Sequence, residues 1–167
     1  MCVPDLNDPA LDDATWYFDG SMQEGKFELL RATGFGMVVV SPNGDLLGTA
    51  RGIPPQWCST AAAAEAWALL EVLRQSPVPP RMRTDCQSLL NIAKQGTEVA
   101  TAANRLLARI WVSIAVILDG DLTTLERSNL LVWQPAHQTV QAIGQRHGSD
   151  GRKITKGLLS CNLDRKS

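Results

Sequence analysis

Three carboxylates in this chain stand where an acid adds little to stability. Asp19 follows the apolar run Thr15-Trp16-Tyr17-Phe18 and precedes Gly20 and Ser21. Glu65 follows the four small residues Ala61 to Ala64, four positions before Leu69. Asp85 closes the short run Arg81-Met82-Arg83-Thr84. Taken alone, Asp19-Gly20 is also the ordinary signature of a turn. Burying a carboxylate without compensation costs several kcal/mol, and a bound cation removes that cost. Three converging carboxylates suit hard divalent cations, which prefer oxygen ligands.

The elements that must carry these residues follow from the pattern. The aromatic run at 15–19 reads as a strand, with Trp16 and Phe18 on one face and Tyr17 and Asp19 on the other. Gly20 lets the backbone turn or approach a ligand, and residues 20–33 read as a loop. Gly34 to Val40 is a second strand. Ser41-Pro42-Asn43-Gly44-Asp45 is a hairpin signal, with positive φ angles expected at Asn-Gly. Residues 46–53 return as the partner, stopped by Pro54 and Pro55.

Ser59 or Thr60 can cap a helix over residues 61–74, in which Ala62, Ala66, Leu69, Leu70 and Leu73 line one face. The small residues at its start let it lie close to a sheet. Pro77, Pro79 and Pro80 end it. A strand at 81–85, a short helix from Gln87 to Lys94 and a long helix at 100–118 follow, with a last strand at 129–133. A right-handed crossover lays the strand at 81–85 beside the one at 15–19. Asp19 and Asp85 then emerge at one sheet edge, where open α/β sheets bind ligands. The fold class expected is α/β: a mixed five-stranded sheet, antiparallel first and then parallel, with helices on both faces.

Bulk properties narrow the class further. The chain has 167 residues, 44% hydrophobic and 20% charged, enough for one domain with a real core. Its formal net charge is −1, so no global basic character marks a nucleic-acid binder. Four cysteines, Cys2, Cys58, Cys86 and Cys161, make no CxxC pair, and two histidines accompany them. A zinc site is not expected, and free thiols fit a reducing compartment. Residues 1–14 are acidic with two prolines and read as a disordered lead-in, without the apolar core of a signal peptide. The apolar stretch 110–118 is too short to span a bilayer. An intracellular protein with no membrane partner is expected.

The runs Trp16-Tyr17-Phe18-Asp19-Gly20-Ser21, Thr60 to Glu65 and Arg83-Thr84-Asp85-Cys86 resemble the ribonuclease H family in order and spacing. Trp133-Gln134-Pro135-Ala136-His137 is similar to that family's late strand and histidine loop. The resemblance covers about residues 15–145. It implies a ribonuclease H-like fold and hydrolysis of the RNA strand of an RNA–DNA hybrid with two Mg2+ ions, Mn2+ being an alternative. It implies that Asp19 bridges both ions, that Glu65 and Asp85 complete their separate spheres, and that Gly20 and Ser21 approach the substrate. His137 would move protons or assist product release. A parent reverse transcriptase polyprotein is a further implication of the same likeness.

The pattern departs from the family at its end. The family's fourth metal-binding Asp follows the histidine loop, and here Asp150 and Asp164 are the candidates. Asp150 sits between glycines and Asp164 stands three residues before Ser167. Residues 146–167 otherwise read as a basic, weakly patterned tail suited to loose phosphate contact. The helix at 100–118 carries only Arg105 and Arg109 as basic residues, so it offers no basic protrusion to grip a hybrid. The alternative function is a non-catalytic ribonuclease H-like module that binds nucleic acid or a partner protein. If neither late Asp is a ligand, deleting residues 147–167 leaves the rate of hybrid cleavage unchanged. A deletion that folds normally but loses all cleavage would assign the tail an essential ligand.

Overall fold

A computed structural model describes residues 8–23 and 32–135. His137, Asp150, Asp164 and the basic tail lie outside the described residues. Five strands form one mixed sheet: β1 (Thr15–Gln23), β2 (Ala32–Val40), β3 (Leu46–Gly52), β4 (Arg81–Thr84) and β5 (Leu131–Trp133). Their order is β3-β2-β1-β4-β5. β1 pairs antiparallel with β2 and parallel with β4, and β4 pairs parallel with β5. The crossover from β3 to β4 runs through helix α1 (Ala61–Gln75), as expected from the right-handed connection.

β1 and β2 are longer than sequence alone suggested. Residues 20–23 and 32–33 read as loop, but Gly20↔Phe35, Ser21↔Gly34, Met22↔Thr33 and Gln23↔Ala32 continue the ladder. Strand propensity at Gly20 and Ser21 is poor, and backbone pairing with β2 overrides it. Asp19 therefore lies inside a strand rather than at its end.

The hairpin between β2 and β3 also differs in detail. Gly44 N donates to Ser41 O at 2.9 Å, which centres the turn on Pro42 and Asn43. Positive φ occurs at Gly44 (87°) and not at Asn43. Pro42 fixes its own φ near −65°, so a type I turn followed by a left-handed glycine replaces the expected pair of positive angles. Ser41 Oγ accepts from Asp45 N at 3.0 Å and closes the loop.

Alternation along β1 sorts the two faces as the sequence implied. Trp16 and Phe18 join Met37, Val39 and Met82 in the main core, with Leu69, Leu70 and Leu73 of α1. Buried residues of α2 (Gln87–Gln95), α3 (Thr97–Ala100), α4 (Ala108–Ile117) and α5 (Thr124–Arg127) belong to the same cluster. Tyr17, Val38 and Val40 form a separate cluster on the other face.

The single helix expected at 100–118 is two helices, α3 and α4, joined by turns. Thr101 Oγ1 bonds back to Thr97 O at 2.7 Å and competes with helix continuation. Ala100 is buried while Leu106 is fully exposed, so no single helical face could serve the whole run. α5 was not signalled by the sequence. Residues 8–14, read as part of a disordered lead-in, make a 3-10 turn at Pro9–Leu11 capped by Asp8. Ala14 is buried, Leu11 packs on the core and Asp13 pairs with Arg81 at 2.8 Å. No helix among the described residues is long and apolar enough to cross a membrane.

The turn from α4 into α5 is held by one carboxylate. Asp121 accepts from Thr123 Oγ1 and N, and from Arg127 at 3.0 Å. The Thr123 hydroxyl is the largest of the effects that hold the Asp121 carboxyl below its ordinary value of 3.8; desolvation opposes it, and the Thr123 amide and Arg127 add to the lowering. A depressed folded-state pKa stabilises the fold above the unfolded value, and that contribution disappears as pH falls through the folded one. Asp121→Asn should therefore lower stability to urea at neutral pH. The gap to the native chain should close in acid below pH 3.8.

Candidate metal centre

Helix α1 starts at a well-made cap. Thr60 Oγ1 accepts from Ala63 N at 3.1 Å, and Thr60 O accepts from Ala64 N at 3.0 Å. The chain enters this cap through Cys58, whose N bonds Pro55 O at 2.8 Å. Trp57 stacks edge-on against Trp67 with centroids 5.9 Å apart. Arg109 of α4 lies 4.5 Å over the Trp57 ring, and Arg74 lies 5.2 Å over Trp67. These contacts tie the segment before α1 to α1 itself and to α4. Burial pushes the Cys58 thiol up, against a smaller opposing pull from Arg109. That thiol is unreactive at neutral pH.

The position of α1 over the sheet is set at Gly20. A Cβ placed there would run into Glu65 N and the Ala64 carbonyl carbon, and would stand 2.6 Å from Ala64 O. No side chain fits, so the α1 backbone rests on the β1 backbone. The expectation that Gly20 gives a turn is corrected on this point: it lies within β1, and α1 fills the place a side chain would take. Gly20 faces the helix, and this close approach brings Glu65 beside Asp19.

Asp85 arrives by a different route. It lies one residue past β4, whose parallel pairing with β1 brings both carboxylates to the same edge of the sheet. Thr84 Oγ1 accepts from Cys86 N at 3.0 Å, and Thr84 O accepts from Gln134 N at 2.9 Å. Trp133 Nε1 donates to the Asp85 carbonyl at 3.2 Å.

The three carboxylates converge. One oxygen from each of Asp19, Glu65 and Asp85 lies within 4.8 Å of the others. Asp19 is 6% and Glu65 4% exposed, so two of the three charges are withdrawn from bulk water. Asp85 is half-buried. Oxygens bound to one hard cation at about 2.0–2.6 Å stand at most about 4–5 Å apart. The observed spacing therefore fits a cation with small side-chain movements. Like charges this close disfavour one another, and a divalent cation relieves both that repulsion and the burial. Ser21 is half-buried, two residues beyond Asp19 on its side of β1. Trp133, matched in the sequence to the family's late strand, stands at the end of β5, and its indole N–H reaches the Asp85 peptide through a bond that no local pattern announces.

No protein-family model matches the chain. No curated protein matches it either. Solved structures do. The RNase H1 of the halophilic archaeon Halobacterium salinarum NRC-1 superposes with a TM-score of 0.50 at 20% identity, covering 83% of this chain and 93% of that one. The solution structure of the PFV RNase H domain gives 0.53 at 17% identity, over 80% and 87%. The foamy viral protease-reverse transcriptase in complex with RNA/DNA hybrid gives 0.57 at 16% identity, over 76% of this chain but 18% of that one. The chain has the ribonuclease H-like fold, as its sequence pattern implied.

If the Gly20 contact sets the site, Gly20→Ala should force α1 away from β1. Overpacking of this kind costs about 1–3 kcal/mol, measurable by urea unfolding. If Mg2+ stabilises the native chain, the variant should lose that stabilisation. A variant that keeps both stability and the Mg2+ response would show that the helix moves freely.

Proposed function

We propose that this ribonuclease H-like domain is a metal-dependent endoribonuclease that hydrolyses the RNA strand of RNA–DNA hybrids. The observation that carries this reading is the convergence of Asp19, Glu65 and Asp85 within 4.8 Å at one sheet edge. Supporting it are the likenesses to RNase H1, to an RNase H domain and to a reverse transcriptase in complex with RNA/DNA hybrid. The last of these also supports origin within a larger reverse transcriptase.

Asp19, Glu65 and Asp85 would together hold the cations, Asp19 standing on the strand that meets both of the other elements. Mg2+ is the expected ion and Mn2+ a working substitute. When bound, such ions supply a water acidic enough to attack at neutral pH and offset charge at the phosphate. The net reaction adds water across the P–O3′ bond, and the 3′ oxygen leaves with a proton.

The chain's own residues do the rest. Burial of Asp19 and Glu65 keeps their carboxylates oriented and their surroundings dry. Ser21, two residues beyond Asp19 in β1, is the candidate to contact the ribose 2′-hydroxyl, the group that separates RNA from DNA. Gly20 admits α1 and, with Ser21, is a candidate to approach the substrate. His137 is the candidate to carry a proton to or from the product. Asp150 and Asp164 remain the candidates for a fourth carboxylate.

The test is cleavage of a labelled hybrid with Mg2+, with Mn2+ and with chelator, for the native chain and for Asp19→Asn. The native chain should cut with either ion and stop in chelator. Asp19→Asn should fold, fail to cut, and lose the cation's stabilising effect. That effect is about 2.7 kcal/mol when free cation is a hundredfold above Kd. Equal stabilisation of both chains by Mg2+ would place the cation elsewhere. Hybrid binding without cleavage under any cation would favour the non-catalytic module.

A further inference from the structure

We infer that Trp133 is a positioning residue that aims Asp85 at the cation site. The inference rests on the cation reading of Asp19, Glu65 and Asp85 given above. Asp85 lies between two regular elements: β4 ends at Thr84 and α2 begins at Gln87. The Thr84 peptide is anchored by Gln134 N, and the Cys86 amide by Thr84 Oγ1. The Asp85 carbonyl receives the Trp133 indole N–H at 3.2 Å. Fixing that carbonyl fixes the ψ angle of Asp85. It thereby sets the direction of the Cα–Cβ bond relative to the chain on either side.

Packing alone does not explain an indole here. β5 is the edge strand, and Trp133, its last residue, is 45% exposed. Trp111 shows the contrast, fully buried in the main core. Burying the whole ring is what makes a tryptophan stabilising in a core. Trp133 forgoes much of that gain and places its one polar atom on the peptide of a site carboxylate. Thr84 and Trp133 are paired in register, so the edge strand holds the indole opposite the end of β4. In the same way, groups that bond to metal ligands commonly tune the site without touching the ion.

Three replacements at position 133 separate positioning from bulk: Trp133→Phe, benzothienylalanine (sulfur in place of the indole N–H) and 5-fluorotryptophan. The last keeps the N–H. Melting temperature in chelator and the Kd for Mg2+ would be measured on the full chain for each. The first two should bind Mg2+ about tenfold more weakly, in the range seen when such outer contacts are lost. The benzothienyl chain should melt in chelator with the native chain, and the fluorinated chain should match the native Kd. Equal affinity in the benzothienyl and native chains would overturn the inference, even if Trp133→Phe fails to fold. Absence of Mg2+ binding by the native chain would overturn the cation reading, and this inference with it. Native binding with unaltered variants would overturn this inference alone.

Discussion

The site depends on a contact between two backbones. At Gly20 the sheet presents no side chain, and the first turns of α1 settle onto the strand itself. Two carboxylates on different elements are thereby brought side by side without a flexible linker between them. The cost is considerable: a glycine inside a strand adds conformational entropy to the unfolded chain and packs nothing of its own. Close repulsive charge is added to that cost. Domains tolerate such local expense at functional sites when the surrounding core over-determines the geometry. Here Trp16, Phe18, Leu69 and Leu70, all buried beneath the same contact, supply that determination.

The third carboxylate is held by weaker means. Asp19 sits in a strand paired along its whole length with β2 and Glu65 in a capped helix, whereas Asp85 occupies a bend after a four-residue strand. β5, only three residues long, compensates through Gln134 N and the Trp133 indole. The site thus has a rigid half, built on β1 and α1, and a half whose aim depends on a few hydrogen bonds at the sheet edge. Ion-binding sites commonly combine fixed ligands with one that adjusts.

The outer surface of α1 is organised separately from its inner one. Arg109, Trp57, Trp67 and Arg74 form a continuous stack from α4 across the entry of α1 and along its flank. Cation–π contacts at exposed positions are worth about 0.5–1 kcal/mol each. Their effect here is to restrain the segment leading into the Thr60 cap, and so the register of Glu65. Arg109 therefore has a structural task, which leaves the region of α4 short of basic groups for gripping nucleic acid.

How much of this was legible in the chain itself can be judged residue by residue. The pattern of aromatic strand, hairpin, alanine-rich helix and short strand was enough to predict the order of the strands, the crossover through α1 and the convergence of Asp19, Glu65 and Asp85. Those features repeat at periods of two and 3.6 residues or sit at caps and turns, and so are written locally. The faces of Trp16 and Tyr17 were fixed by alternation alone. Tertiary structure decided the rest. It extended β1 through Gly20, because pairing with β2 outweighs poor strand propensity. It split the run at 100–118, because Ala100 and Leu106 could not share one buried face. It turned Gly20 from a candidate turn into the seat of α1, and joined Trp133 to Asp85 across 48 positions of sequence. Such contacts are set by how elements pack in three dimensions, and no local period in the sequence records them.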